Sequence, residues 1–153
     1  MPNTYTQLHI QLVFAVQHRD GLVHPSFKEE LQKYLTGIFT NQKNKLLAIN
    51  LMPDHAHIFF GLNPSLAISD IVRDVKHYST EFINGNNWLR GHFNWQEGYS
   101  AFSYSHSHVE RVIKYILNQE IHHKKRTFHE EYLEMLKKFE VIYQDKYLFE
   151  FFD

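Results

Sequence analysis

Hydrophobic and polar positions alternate with a period of two in four parts of the chain, which predicts four strands. Residues 5–17 alternate most clearly, and this pattern predicts a half-buried strand with one stronger apolar face. Residues 45–51 and 55–62 are shorter apolar runs joined by a proline turn at 52–54, a combination typical of a β-hairpin. Alternation near 99–105 predicts the last strand.

Apolar residues recur at helical spacing in four other segments. The predicted helices are 26–41, 65–84, 107 to about 124, and 127 to about 139. Three of these segments open with a Ser or Thr followed three residues later by Glu, which is typical of a capping box. The pairs are Ser26 with Glu29, Ser107 with Glu110, and Thr127 with Glu130.

The order of these elements, β-α-β-β-α-β-α with a further helix, predicts the fold class α+β. We expect a ferredoxin-like, RRM-like antiparallel sheet covered by helices. The 153 residues suffice for a single domain at 1–153. Its core is expected at about 5–125, followed by a C-terminal helix and tail at 127–153. Since the tail is rich in aromatic residues, we expect it to pack on the body of the protein or on a partner.

Composition then narrows the chemistry. The chain has no cysteine, 12 histidines and a formal net charge of −1. The lack of cysteine excludes disulfides, thiolate metal ligands and a cysteine nucleophile. The near-neutral charge does not by itself indicate a nucleic-acid partner. There is no apolar run of about 18 residues and no signal-peptide pattern, so we expect a cytoplasmic protein with no membrane partner.

Two of the histidines, His55 and His57, lie one residue apart in the run MPDHAHIFF. Alternation along a strand places both on one face, roughly 7 Å apart at Cα. Both imidazoles could therefore bind one metal ion, although such a pair also occurs by chance.

Tyr115 lies in the middle of a narrow polar stripe on an otherwise apolar helix. The stripe also contains His108, Arg111, Gln119 and His122. Gln119 lies one turn beyond Tyr115, and its amide oxygen suits a hard metal ion. Together with the two strand histidines it predicts a site for Mg²⁺ or Mn²⁺ beside a tyrosine hydroxyl. That combination indicates tyrosine attack on a phosphodiester whose oxygen is polarised by the metal.

MPDHAHIFF resembles the His-hydrophobic-His (HUH) motif of the single-tyrosine HUH transposases of the IS200-like insertion sequences. YILNQ resembles the tyrosine-helix motif of the same family. HIQLVFAVQHR, IVRDVKHYST and FNWQEGYSAFSYS are similar to other segments of that family and occur in the same order. The resemblance covers residues 5 to about 125.

The resemblance implies an enzyme that cuts and rejoins single-stranded DNA next to hairpins. Tyr115 matches the nucleophile, which becomes joined to a 5′ phosphate. His55, His57 and Gln119 match the ligands of a divalent metal. The family also implies a homodimer, in which the tyrosine helix of one subunit can complete the site of the other, and activity on the DNA of a prokaryotic nucleoid.

Basic residues in or beside the matching segments are candidate DNA contacts. They are Arg19, Lys76, Arg111, Lys124 and Lys125. An ordinary surface role is the alternative for each of them, and it is the favoured interpretation for the single cations Arg19 and Lys76. Two alternatives to an active transposase stay open: a host-adapted relative of the REP-associated tyrosine transposases, and a hairpin-binding protein that has lost cleavage. A metal-binding protein with no nucleic-acid role would leave the placement of Tyr115 unexplained.

Overall fold

The computed structural model describes residues 3–152, without the side chains of Asp20 and His122. The strands are β1 (His9–Ala15), β2 (Lys45–Leu51), β3 (His55–Gly61) and β4 (Ser100–Tyr104). The helices are α1 (Lys28–Asn41), α2 (Ile68–Gly85), α3 (Val109–Leu117), α4 (Gln119–His122) and α5 (Phe128–Lys138). Short 3₁₀ turns lie at Arg19–Gly21, His106–His108 and Asp145–Tyr147. Across residues 3–152, no helix combines the length and apolar character needed to cross a bilayer.

The four strands form one sheet in the order β2-β3-β1-β4. Every neighbouring pair of strands is antiparallel. The predicted α+β class, with a ferredoxin-like antiparallel sheet covered by helices, is therefore confirmed. β3, which carries His55 and His57, lies in the interior of the sheet beside β1.

β1 is buried along its whole length, so the prediction of a half-buried strand is wrong. Leu12 and Phe14 belong to the main core together with Leu31 of α1 and Val75 of α2. The alternate positions are covered as well, and Gln11 is only 1% exposed. The polar residues of β1 therefore face a second layer of helices instead of solvent.

That second layer begins with α3, which packs across β2 and β3. Ala48 and Phe59 of the sheet form a small apolar cluster with Val112 and Ile116 of α3. Because the apolar stripe of α3 is used on the sheet, the helix is held above the strand that carries the two histidines.

One of the three predicted capping boxes forms among the described residues. Thr127 accepts a hydrogen bond from the backbone N–H of Glu130, and the Glu130 side chain accepts one from the backbone of Thr127. Ser26 instead hydrogen-bonds His24, and Ser107 lies inside the 3₁₀ turn before α3. The box requires an extended N-cap, and the backbone of Thr127 meets this condition.

Candidate active site

His55 and His57 lie side by side on β3, fully buried, with ring centroids 5.0 Å apart. His57 lies opposite Val13 of β1 and Asn50 of β2. Cross-strand neighbours project from the same face of a sheet. Both imidazoles therefore project into the layer formed by α3 and α5.

The carboxylate of Glu131, on α5, reaches both histidines. Its Oε1 lies 3.2 Å from Nε2 of His57 and 3.8 Å from Nε2 of His55. One ligand atom from each of the three residues lies within 4.8 Å of the others. The His55–His57–Glu131 cluster can therefore hold a single metal ion.

The sequence motifs did not predict Glu131, because no motif connects α5 with the histidine strand. A usable signal exists in the pattern of α5 itself. Phe128, Tyr132 and Met135 form a buried stripe at helical spacing, and Glu131 lies within it. A carboxylate in an apolar stripe is costly unless it has partners. Burial raises the pKa of Glu131, but hydrogen bonds from His123, His57 and Tyr115 outweigh burial and hold the pKa well below its usual value.

His55 presents a free nitrogen to the cluster. Its Nδ1 lies 2.7 Å from Oδ1 of Asp54, whereas its buried Nε2 has no hydrogen-bond partner among the described residues. A carboxylate on the far nitrogen fixes the tautomer that leaves Nε2 available to a metal. Burial also lowers the pKa of His55 below its usual value, which favours the neutral, ligating imidazole. The residues present therefore fit a divalent ion.

His57 is oriented by an amide. Its Nδ1 lies 2.9 Å from Nε2 of Gln11, and Oε1 of Gln11 accepts a hydrogen bond of 2.8 Å from the Tyr104 hydroxyl. In this arrangement the amide donates to Nδ1, so Nε2 of His57 carries the proton that faces Glu131. An ion on Nε2 requires the other tautomer, which Gln11 can satisfy by turning its oxygen toward Nδ1.

Tyr115, on α3, contacts the same carboxylate. Its hydroxyl donates to Oε2 of Glu131, and Nη2 of Arg126 donates to the hydroxyl oxygen at 3.2 Å. Its ring centroid is 6.2 Å from that of His57. Burial raises the pKa of Tyr115 above its usual value, and the charge of Glu131 adds to the effect. The hydroxyl therefore stays protonated at neutral pH, and one carboxylate joins it to the histidine pair.

The tyrosine helix is interrupted, so the prediction of one helix reaching about residue 124 is wrong. Asn118 leaves helical geometry, with φ −101° and ψ 23°, and separates α3 from the four-residue α4. Nδ2 of Asn50, on β2, donates to the backbone oxygen of Ile116 at 2.8 Å. Carbonyls in the last turn of a helix lack helical partners. The end of α3 is thus fastened to the strand beside His57.

Gln119 is fully buried and reaches the cluster through Glu131. Its Nε2 lies 3.1 Å from Oε2 of Glu131, and its Oε1 lies 3.0 Å from Nε2 of His123. His123 Nε2 also lies 3.1 Å from Oε1 of Glu131. Gln119, which the sequence predicted as a metal ligand, therefore contacts Glu131, and it is the carboxylate of Glu131 that lies against His55 and His57. The side chain of His122, the remaining member of the predicted stripe, lies outside the described part of the chain.

α5 and the C-terminal tail support the site from outside. The ring of Phe128 stacks on His55 with centroids 3.8 Å apart and an interplanar angle of 2°. Phe149 of the tail packs on Tyr132 at 5.0 Å, and Phe151 stacks on His129 at 4.1 Å. The tail packs on the body, as its composition predicted, and braces the helix that carries the carboxylate.

The five cations named from the sequence lie in different environments. Arg19 donates to a backbone oxygen of the tail at 3.2 Å. Lys76 is half-buried and donates to two backbone carbonyls of the segment before β4, at 2.8 and 2.6 Å. Burial lowers the pKa of Lys76 to about 8. Lys124 and Lys125 are exposed in the turn between α4 and α5. Arg111 is exposed and lines a cavity beside the predicted nucleophile.

This cavity, of about 500 Å³, lies between α3 and α5. Its lining includes Tyr104, Arg111, Tyr115, Arg126, Lys138 and Phe139. Guanidinium and ammonium groups attract phosphate, and aromatic rings offer faces on which a base can stack. Two carboxylates, those of Glu131 and Glu134, also line the cavity, and its cationic and aromatic groups lie beside the Tyr115 hydroxyl.

Comparison with known proteins identifies the family of the chain. Residues 4–119 match the family of IS200-like transposases. The match spans most of the chain, and the protein belongs to this family. The ISDra2 transposase TnpA of Deinococcus radiodurans is 25% identical over 118 residues, which are 74% of this chain and 84% of that protein.

Two solved structures share the fold. A crystal structure described as a transposase from Deinococcus radiodurans R1 has a TM-score of 0.60 at 24% identity, covering 76% of this chain and 94% of that one. A REP-associated tyrosine transposase bound to a REP hairpin has a TM-score of 0.61 at 14% identity, covering 99% and 92%. The predicted resemblance to the single-tyrosine transposases is thereby confirmed.

Proposed function

We propose that the protein cleaves and rejoins single-stranded DNA next to hairpins through a covalent bond between Tyr115 and a 5′ phosphate. One observation carries this proposal: within a single chain, the Tyr115 hydroxyl contacts Glu131, which also contacts His57. A candidate nucleophile and a candidate metal cluster are thus in contact. Membership in a transposase family supports the same reaction class.

In the proposed reaction, the hydroxyl oxygen of Tyr115 attacks the phosphorus of a phosphodiester. The new bond joins that oxygen to phosphorus, and the bond from phosphorus to the 3′ oxygen of the preceding nucleotide breaks. One proton moves overall from Tyr115 to the departing 3′ oxygen, and Glu131, which accepts the tyrosine hydrogen bond, is placed to pass it on. The phosphotyrosine keeps the bond energy, so attack by a 3′ hydroxyl rejoins a strand without ATP.

A divalent ion, Mg²⁺ or Mn²⁺, would be held by the His55–His57–Glu131 cluster with Gln119 beside it, and it would polarise the phosphate oxygen. The surrounding residues orient these groups. Asp54 fixes the tautomer of His55, and Phe128 fixes the plane of its ring. Arg126 lies where it can attract the phosphate toward the tyrosine oxygen.

The proposed partner is single-stranded DNA with hairpin ends. The REP-associated relative that shares this fold was solved bound to a REP hairpin. Three of the predicted DNA contacts are close to Tyr115 in sequence. They are Arg111, which lines the cavity, and Lys124 and Lys125, which lie in the turn after α4. Arg19 and Lys76 bind backbone oxygens of the protein itself, and their contact with DNA stays a prediction.

A second candidate is the host-adapted role, in which the same chemistry acts on repeated hairpins of the chromosome. The extent of the fold match favours it: the REP-associated structure covers 99% of this chain, and the other transposase structure covers 76%. The two roles differ in substrate. Cleavage of hairpins flanking the gene, compared with cleavage of hairpins repeated elsewhere in the same genome, decides between them.

The test of the proposed function uses labelled single-stranded DNA carrying the flanking hairpins, with Mn²⁺ or Mg²⁺, on a denaturing gel. We expect a covalent protein–DNA band for the wild type and none for Tyr115→Phe. Tyr78→Phe is the matched control, because Tyr78 is 47% exposed on α2 and does not line this cavity. Tyr104→Phe tests the neighbouring hydroxyl, which lines the cavity and contacts Gln11. A band that survives Tyr115→Phe and disappears with Tyr104→Phe would identify Tyr104 as the nucleophile instead. Hairpin binding without any band would favour the non-cleaving protein.

We also expect a homodimer in solution. The described residues place Tyr115 against the cluster of its own chain, so we expect each subunit to cleave in cis in this state. Mixing Tyr115→Phe with His57→Ala protein tests this arrangement. Recovery of cleavage in the mixture would show that subunits share sites, and sedimentation at the monomer mass would contradict the dimer.

A further inference from the structure

A second cavity lies at the opposite end of the same sheet face. Its volume is about 490 Å³, and it is formed by the starts of β1 and β2, the end of β3 and the turn before α3. Its lining includes His9, Lys43, Lys45, Gly61, Asn63 and His106. None of its lining residues, all within the described ranges, is acidic.

The register of the sheet builds this cavity. Gly61 lies opposite His9 on β1 and Lys45 on β2, so these positions form one cross-strand row. A Cβ at Gly61 would be in ordinary contact with Cβ of Lys45, at 3.5 Å, so the glycine leaves the middle of the row without a side chain. The β-bulge between Leu46 and Ala48 shifts the alternation of β2 by one residue. Without the bulge, Lys45 would project from the opposite face.

His9 gives the cavity an unsatisfied polar group. Its side chain lies in the wall and is only 9% exposed, and its buried Nδ1 has no hydrogen-bond partner among the described residues. The ring of His106 lies 5.8 Å away, centroid to centroid. Buried polar atoms are nearly always satisfied in native structures. Because His9 lines the cavity, a turn of its ring toward this space would let a bound ligand satisfy the nitrogen.

Charge selects the class of ligand. A chain with a formal net charge of −1 places two lysines and two histidines around this space, with no lining carboxylate. α3 begins at Val109 in the same wall, so the positive end of its dipole adds to the field. We infer that the cavity binds a phosphate group of the DNA backbone, with Lys43 and Lys45 supplying charge and His9 donating from the wall. This inference rests on the proposed function and extends it to a second contact.

The position of the cavity limits which phosphate it can hold. Val13, the residue opposite His57, lies four residues along β1 from His9. At about 3.3 Å per residue this separation is about 13 Å. Successive phosphates of a strand are separated by more than the axial rise of about 3.4 Å per nucleotide, so the bound phosphate lies fewer than about four nucleotides from the cleaved bond. Such a contact sets the register of the strand in the active site.

The test measures binding of a labelled single strand over a salt series. We expect Lys45→Gln to reduce the slope of log K against log salt by about 0.7, the value for one phosphate contact on a single strand. Lys33→Gln is the matched control, because Lys33 is 76% exposed on α1 and does not line the cavity. His9→Phe keeps the ring volume and removes the nitrogens, and we expect binding about tenfold weaker.

A shortened strand that ends one nucleotide from the cleaved bond provides the second arm. On this strand, the wild type and Lys45→Gln should bind with equal slopes, because the phosphate that Lys45 contacts is missing. An unchanged slope for Lys45→Gln on the full strand, or a difference that persists on the short strand, overturns the inference.

Adduct formation by Tyr115 is measured on the same proteins, which separates the two proposals. A normal adduct with an unchanged salt slope overturns the phosphate contact alone, and a missing wild-type adduct overturns the cleavage reaction alone if the slope still falls. Inorganic phosphate tests whether the cavity binds a free phosphate ion instead of a phosphate of the DNA backbone. If it shifts the ring NMR signals of His9 while Lys45→Gln leaves DNA binding unchanged, the cavity takes free phosphate and the inference is wrong.

Discussion

Glu131→Gln should remove most of the stabilisation that Mn²⁺ gives to the fold. The carboxylate lies 3.2 Å and 3.8 Å from the Nε2 atoms of His57 and His55. It is the acidic member of the three groups that can reach one ion. A Gln keeps the shape of the side chain and removes its negative charge, so the change isolates the attraction between carboxylate and cation.

The expected size follows from ligand linkage. An ion present at about 100 times its Kd adds about 2.7 kcal/mol to the free energy of unfolding. For a chain of this size each kcal/mol raises Tm by about 2–4 °C, which gives a wild-type shift of about 5–11 °C. If loss of the ligand weakens affinity about 100-fold, the same ion concentration adds about 0.4 kcal/mol, or about 1–2 °C.

The substitution also changes the metal-free protein. It weakens the charge-assisted hydrogen bonds from Tyr115 and His57, and it removes a buried charge whose desolvation is unfavourable. These two effects oppose each other. The measured quantity is therefore the shift in Tm on adding Mn²⁺ within each variant, in which the metal-free difference cancels.

Thermal unfolding followed by circular dichroism measures these shifts. Glu134→Gln is the matched control: Glu134 is on the same helix, its side chain is 65% exposed, and it lies outside the cluster. Gln119→Ala tests the ligand set predicted from the sequence. A full shift in Glu131→Gln and a lost shift in Gln119→Ala would refute the carboxylate and restore the amide as the third ligand. No shift in the wild type would refute the metal site.

Three further outcomes test the supports of the site. Phe128→Ala should cost about 3–5 kcal/mol in urea unfolding, because a buried ring that stacks on His55 is lost; a cost below about 1 kcal/mol would contradict this packing. Thr127→Ala should cost about 0.5–2 kcal/mol through loss of its capping box, whereas Ser26→Ala should change stability by less than about 0.5 kcal/mol. The pKa of Lys76 is lowered to about 8 in the folded protein. The unfolded state therefore binds more protons above that pH, and the wild type should gain stability relative to Lys76→Met between about pH 8 and 10; a flat difference would contradict the shift.

The alternating patterns predicted the sheet and the placement of the histidine pair on one strand, because burial on a face leaves a direct mark on the sequence. The same alternation was misread for β1. Polar residues such as Gln11 indicated a solvent face to us, but they line the face that carries the site. Gln11 occupies a polar position on this face and orients the imidazole of His57, and period alone cannot distinguish this role from solvation.

The third member of the cluster lay beyond local patterns. Glu131 meets His57 only because a turn after α4 folds α5 back over the sheet, and no spacing rule encodes such a return. Its one sequence trace is a carboxylate inside the apolar stripe of an amphipathic helix. The break at Asn118 was also missed, since the apolar spacing continues through it. Asn50 of β2 compensates for the interruption by donating a hydrogen bond to the end of α3. This contact joins segments that are distant in sequence, so local patterns do not predict it.

Asn50 has a mechanical consequence for the enzyme. It lies opposite His57 in the ladder between β2 and β3, and its amide holds the end of the helix that carries Tyr115. The separation between the Tyr115 hydroxyl and the His57 imidazole is therefore set by one rung of the ladder instead of by the long loops between them. When thermal motion twists or slides the sheet, both groups travel as a rigid pair. The alignment that the proposed transfer needs would thus persist if a bound DNA hairpin strained the rest of the domain.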